Sequence, residues 1–485
     1  MRILEKLRIL MTALFGTLPA VAACPSDFTQ MVDSMDSRSL PLVNLTVDVS
    51  LMGSSHFTSG RIEIADPQKR MGDSVTVALD CLLRYRGASA LGAEKKSFAV
   101  KLVTADGGKA NVGLLGMREE NSWILDAMAF DCMRMRNRAC FDLWNLFSRV
   151  PYDTDYGRRN GTEGQFVEVF LNGDYHGLYC LSDKVDRRLL GLKKSKSDDD
   201  GGVTLRGLLY KCVDTGYPAD LLLEYGNYPM DSTRWDAWEL QYPDDYPSEA
   251  AWQPLAQLID FCAYRKTTNE EFVRRLDEWF YEDNIIDYFI FCNALLLHDN
   301  IKNRFLSTPD ITAGHRYLVT PWDMDISLGF SPIDSLDGTT ANLHWLQVMA
   351  PYARISDNEH YDFYRRVSSR WEELRRGPLS PDSVMGRLDC YAQLLETSGA
   401  WQREREKWDG NPRRLAESPE EWLPEIREWY ERNTKAVTYQ LNVATTVVPV
   451  VNNAFQKCTF DLQGRLTQKP TKGVYIQDGK KVVVK

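Results

Sequence analysis

The chain has 485 residues, enough for a large core and for more than one folded lobe. Its composition, 44% hydrophobic and 26% charged, is that of an ordinary globular protein. A net charge of −10 argues against nucleic acid as the main partner, since phosphate-backbone binding needs a basic surface. The local basic clusters Arg134, Arg136 and Arg138 and Lys193, Lys194 and Lys196 read as solvated faces.

Residues 1–23 read as a signal peptide. Arg2, Lys6 and Arg8 open it, Ile9 to Ala22 is apolar but short for a bilayer span, and Ala20-Val21-Ala22 offers small-x-small cleavage. Val21-Ala22-Ala23-Cys24 equally resembles a lipoprotein processing site, in which a lipidated Cys24 would be the route to membrane anchoring. Either way the expectation is export: secreted, periplasmic or attached to the cell surface. No other run is apolar for long enough to cross a membrane.

Alternation and β-branched residues predict strands over Asn44–Leu51, Ser74–Arg86 and Ser97–Val103, the last closed by a turn at Gly107-Gly108. Helical spacing runs from Asp126 to Phe147. Gln165–Leu171 and Leu178–Leu181 flank Asn172-Gly173-Asp174, a strong hairpin signal. Asp198 to Gly202 reads as a flexible loop, and Val203 to Pro247 as an insert or an elaborated strand region. Helical patterning dominates Glu249–Leu297 and resumes over Tyr361–Trp371, Pro381–Leu395 and Glu420–Val437. The expected organisation is therefore a domain over 40–440. It comprises a β-rich lobe at 40–190, an insert or elaboration at 191–248 and a helical lobe at 249–440, with a cleft between the lobes. A linker and a short C-terminal β tail fill 441–485, where an Asp478-Gly479 turn joins the last two strands.

The stretch from His298 to Phe330 carries the chemistry. Arg304-Phe305-Leu306-Ser307 and Arg316-Tyr317-Leu318-Val319-Thr320 are strand-like runs joined by Pro309, Asp310 and Gly314, which predicts an antiparallel hairpin. A hairpin returns the chain to where it began, so Asp299 and Asn303 before it should meet Asp323 and Asp325 after it. Crowded carboxylates repel unless a cation or proton is present, and hard oxygen ligands suit Mg²⁺ or Mn²⁺. His298 reads as a residue that packs this loop rather than as a base. The ten cysteines form no Cys-x-x-Cys pair, which argues against a zinc knuckle, and their irregular spacing fixes no disulfide pairing. No Gly-x-Ser-x-Gly or His-Glu-x-x-His motif supports a hydrolase. Arg84-Tyr85-Arg86-Gly87 leading into Lys95-Lys96-Ser97-Phe98-Ala99-Val100-Lys101 has the form of a glycine turn before a basic strand able to hold phosphates.

Taken in order, these pieces resemble the CotH kinase family, atypical and distant relatives of protein kinases. The matching residues are Arg84-x-Arg86-Gly87-x-Ser89, Lys95-Lys96-Ser97, Leu114-Leu115-Gly116-Met117, Trp123-Ile124-Leu125, Arg136-Asn137, Val169 to Tyr179, Asp299 to Asn303, and Pro321-Trp322-Asp323-x-Asp325-x-x-x-Gly329. They cover roughly residues 40–400. The resemblance implies an α+β, two-lobed atypical protein-kinase-like fold. It further implies ATP with Mg²⁺ or Mn²⁺ as cofactors and phosphate transfer to Ser or Thr of a protein substrate. Asp299 would be the catalytic aspartate, Asn303 and Asp323 metal ligands, and Asp325 a further metal or supporting ligand. Lys96 or Lys101 would face the nucleotide, with Arg86 a further candidate. Asp183 would stand where the family's Gly-Leu-Tyr-x-Leu-x-Glu pattern has glutamate, and the Asp299 to Asn303 interval is a residue shorter than in the founding member. An exported protein meets little ATP, so two rivals stand beside this reading: a non-catalytic pseudokinase serving as a surface or adhesion protein, and a metal-dependent enzyme using another phosphorylated donor.

Overall fold

The computed structural model describes residues 26–446 apart from 198–202, 217, 228–231, 247, 332–334, 337 and 357–360, together with tail residues 459–460, 466–467, 473–477 and 480–484. The predicted signal segment with Cys24, the Asp198–Gly202 loop and the Asp478-Gly479 turn lie outside the described residues.

The fold is mixed α+β. Seven strands close into a barrel: β1 (Leu42–Val47), β2 (Thr58–Ala65), β3 (Thr76–Arg86), β4 (Ser97–Leu102), β5 (Ser122–Asp126), β6 (Gly164–Leu171) and β7 (Asp174–Ser182). Their order is β1-β2-β3-β4-β5-β7-β6, and β6 closes the ring by pairing in parallel with β1. Alternation decides which side chains enter. Val43, Leu45, Ile62, Ile64, Leu83, Phe98, Val100, Trp123, Leu125, Val169 and Leu181 are buried together inside. Each such side chain contributes about 1.5–3 kcal/mol on burial. The alternate residues Arg84, Arg86, Ser97, Lys101, Ser122 and Asp126 therefore share the outer face, because Arg86 lies opposite Ser97 and Lys101 opposite Ser122.

The Asn172-Gly173 hairpin forms as expected, with both residues at positive φ (54° and 91°), as a tight turn matched to strand twist requires. The helix expected from Asp126 begins later. Asp126 ends β5, and α1 spans Arg136–Phe147. The cause is Asp131, whose carboxylate accepts the main-chain N–H groups of Met133, Met135 and Arg136 at 2.9, 2.8 and 2.7 Å, folding the intervening chain into turns. Arg134, Arg136 and Arg138 are buried rather than solvated, held by Glu404, Asp131 and the Thr162 carbonyl respectively.

A second sheet joins β8 (Leu208–Cys212), β9 (Arg234–Trp235), β10 (Trp238–Tyr242), β11 (Arg304–Thr308) and β12 (Leu318–Pro321) in the order β9-β10-β8-β11-β12. The stretch 203–247 thus supplies strands that pair directly with the predicted hairpin. Helices α2 (Glu249–Cys262), α3 (Glu282–Leu295), α4 (Phe363–Leu374), α5 (Pro381–Thr397), α6 (Ala400–Trp408) and α7 (Leu423–Thr446) share one large apolar core with this sheet. Helix α6 docks on β7 at Gly177, where φ is +120° and an added Cβ would stand 2.6 Å from a carboxylate oxygen of Glu404. In the tail, 473–477 and 480–484 pair antiparallel. The eight described cysteines are free thiols, seven of them buried. Among the described residues no helix is long and apolar enough to cross a membrane.

Candidate active site

The hairpin gathers its two ends as expected. Arg304 pairs with Pro321, and one step beyond the ladder Trp322 N donates to Asn303 O at 2.9 Å. Buried Asn300 pins the base by donating from Nδ2 to the carbonyls of Asn303 and Trp322 at 2.7 and 2.9 Å. Asn303, nearly buried, donates from Nδ2 to Asp299 Oδ2 at 2.6 Å, and Lys302 Nζ sits 3.0 Å from Asp299 Oδ1. Asp299 is thereby oriented by its own loop. His298 lies edge-on to Trp345 at 5.3 Å between ring centres, as a loop-packing residue would.

After the hairpin the chain turns through Asp323, whose φ of 56° is left-handed, a conformation that Asp tolerates better than most residues. Buried Arg136 holds the following turn by donating to Asp325 O at 2.9 Å. Gly329 has φ +83°, and a Cβ there would stand 2.7 Å from the Trp429 indole, so only glycine lets the chain leave the turn.

No described residue gives the Asp323 or Asp325 carboxylate a hydrogen bond or ion pair. Asp323 reaches water, although the surrounding protein still desolvates its carboxylate. Desolvation pushes its carboxyl above the usual range. Lys211 and Arg86 oppose that rise, while Asp126 and Asp299 add to it. Because water still reaches Asp323, the desolvation that drives this rise is partly screened. Asp325 is held well above the usual range by desolvation and then by Asp323.

Two charged contributors to this cluster, Asp126 and Lys211, were not singled out from sequence. Asp126, at the end of β5, accepts from Asn137 Nδ2 at 3.1 Å, and Asn137 Oδ1 accepts Met324 N at 3.0 Å. Lys211 on β8 lies with its ammonium 5.5 Å from the Trp322 ring centre, while the Arg86 guanidinium lies 5.8 Å from the same ring. Burial, then Arg86, lowers the Lys211 pKa, and Asp323 opposes that. Two cations thus share one indole beside the acidic turn.

The remaining expected residues sit apart. Lys96 Nζ donates to Leu91 O, and Lys101 stacks on Phe57 at 4.5 Å near Arg84 and Lys184; neither pairs with the aspartates. Their neighbour Lys95 is sealed inside instead, donating to Leu178 O and Glu404 Oε1, both at 2.6 Å. Desolvation lowers its pKa to about 7 against the pull of Glu404. Asp183 is fully buried between Arg118 Nε and Arg159 Nη2, both at 2.6 Å, and does not join the cluster.

The chain belongs to the CotH kinase family: the family model described as CotH kinase protein matches residues 83–437, most of the chain. That span begins in β3 and ends in α7, later at both ends than the motifs alone indicate. No curated protein matches the chain.

Proposed function

We propose that this protein is an atypical protein kinase that transfers the terminal phosphoryl group of ATP to a Ser or Thr hydroxyl of a partner protein. The barrel and the helical core are taken as the two lobes, with the nucleotide between the outer face of β3 and β4 and the turn at Asp323. The observation that carries the reading is the convergence of Asp299, Asn303, Asp323 and Asp325 at one end of a hairpin, facing Arg86 and Lys211.

Asp299 would accept the proton of the acceptor hydroxyl, held in place by Asn303 and Lys302. The hydroxyl oxygen bonds to the terminal phosphorus as the bond to the β-phosphate oxygen breaks, and ADP leaves. Arg86 and Lys211 would hold phosphate oxygens, with Trp322 as their common platform. Phosphoryl transfer asks the protein mainly for such positioned charge.

Among the described residues, no three His, Cys, Asp or Glu side chains are arranged as a metal cage. A nucleotide-borne Mg²⁺ needs none, since it takes one or two protein oxygens and otherwise phosphate and water. Asp323 and Asp325, short of donors and repelling one another, fit that demand, with the Asn303 amide oxygen as a further donor. Mg²⁺ or Mn²⁺ there would neutralise the charge of the phosphates. The signal-like N-terminus supports export as part of the same proposal.

The test is incorporation of labelled phosphate from ATP with Mn²⁺ into the protein itself or a generic acceptor. Wild type should incorporate label and Asp299→Ala and Asp323→Ala should not. No label, or equal label in Asp323→Ala, overturns the reading. Nucleotide binding without transfer would favour the pseudokinase alternative.

A further inference from the structure

Away from the aspartate cluster, a cavity of about 520 Å³ opens between β6, α1 and α5. Four arginines from separate parts of the chain line it: Arg70 after β2, Arg149 and Arg159 after α1, and Arg387 on α5. The chain as a whole carries −10, so such a gathering of guanidinium groups runs against the background charge.

Two of the four are already matched. Arg70 pairs with Asp66 at 2.9 Å, and Arg159 with Glu163 and Asp183 at 2.5 and 2.6 Å. The other two are not. Arg149 is exposed and has no carboxylate partner among the described residues. Among the described residues Arg387 finds only Asp142, at 3.9 Å, and that carboxylate already holds Arg138 at 2.7 Å and the Tyr391 hydroxyl. The buried Nε of Arg159 also lacks a partner. The lining therefore has two cations in excess and a donor unfilled.

We infer that this cavity is a binding site for a small organic anion carrying two or more carboxylate or phosphate groups, held between Arg149 and Arg387. Guanidinium forks match both groups in bidentate geometry, and the volume lies within the roughly 300–1,000 Å³ of small-molecule sites. A net acidic protein repels anions at long range, so binding at this place would come from the local arrangement and be saturable. The inference does not depend on the kinase reading, because none of these residues belongs to the aspartate cluster.

Citrate and pyrophosphate serve as probes, titrated calorimetrically into the full chain without divalent metal, at ionic strength matched with NaCl. At least one should bind saturably with one-to-one stoichiometry, and whichever binds identifies the favoured anion. The double variant Arg149→Ala/Arg387→Ala should bind at least tenfold more weakly while keeping the wild-type thermal midpoint, since both side chains reach solvent. Asp323→Ala should bind as wild type does. Absence of saturable binding to both probes, undiminished binding in the double variant, or loss of binding in Asp323→Ala overturns the site.

Discussion

Met324 donates its main-chain N–H to the side chain of Asn137 at 3.0 Å, across 187 positions of sequence. The other end of the same amide donates to Asp126. One side chain near the start of α1 thus sets the distance between the end of β5 and the acidic turn. Asn137→Ala keeps all three aspartates in the sequence but should let the turn that carries Asp323 and Asp325 drift from Asp126. The expected result is a 10–100-fold loss of phosphate transfer, the size typical of removing a group that orients metal ligands. Steady-state kinetics with a circular-dichroism check would show it, and unchanged kinetics would refute it.

Lys211→Met removes one of the two cations on Trp322 while keeping most of the packing. A charge-assisted contact to phosphate is worth about 1.5–3 kcal/mol, so nucleotide affinity should fall roughly 10–100-fold. Equilibrium titration with ATP reads this directly. Lys101→Met, which removes a cation lying over Phe57, should weaken binding far less.

Asp325→Asn should stabilise the metal-free protein at neutral pH. The folded-state pKa of Asp325 is raised, so the folded protein binds a proton more readily than the unfolded chain does. Stability contributed by the protonated form is then lost as pH rises through that folded value. The thermal midpoint of Asp325→Asn should exceed that of wild type at pH 7.5, and the gap should close as pH falls toward 4. A gap that widens on acidification would show that the carboxylate is stabilised instead.

Glu404→Gln tests the link between α6 and the barrel. Glu404 neutralises Lys95 at 2.6 Å and Arg134 at 2.8 Å, all three fully buried. Removing its charge leaves the buried Arg134 cation without its carboxylate and drives Lys95 to the neutral amine, at a cost on the order of 3–5 kcal/mol. Urea unfolding should show a markedly lower midpoint. An unchanged midpoint would mean that water reaches the trio.

The hairpin was readable because its signals are local: two apolar runs, with Pro309, Asp310 and Gly314 between them. Its ends had to meet, so Asp299 and Asp323 could be placed together from sequence. The rest of the site depends on distant pairing. Lys211 became visible only when β8 was found beside β11, a contact across about a hundred residues that no periodicity reveals. Asp126 looked like the start of a helix because Met128, Cys132 and Met135 mimic helical spacing, while Asp131 captures the backbone donors that would have continued one. The sequence offered Lys96 and Lys101 as nucleotide-facing candidates, and the structure pairs neither with the aspartates. The acid that makes Lys95 tolerable inside lies 309 positions away.

The cysteines give the folded state a chemical clock. Burial pushes the thiols of Cys81, Cys140 and Cys180 up to about 12, leaving them protonated and shielded, while Cys390 stands in solvent. Among the described cysteines, an alkylating reagent added to the native protein should therefore mark Cys390 first, and the seven sealed thiols only as the chain opens. Counting labelled sulfurs over time would measure how often this fold comes apart.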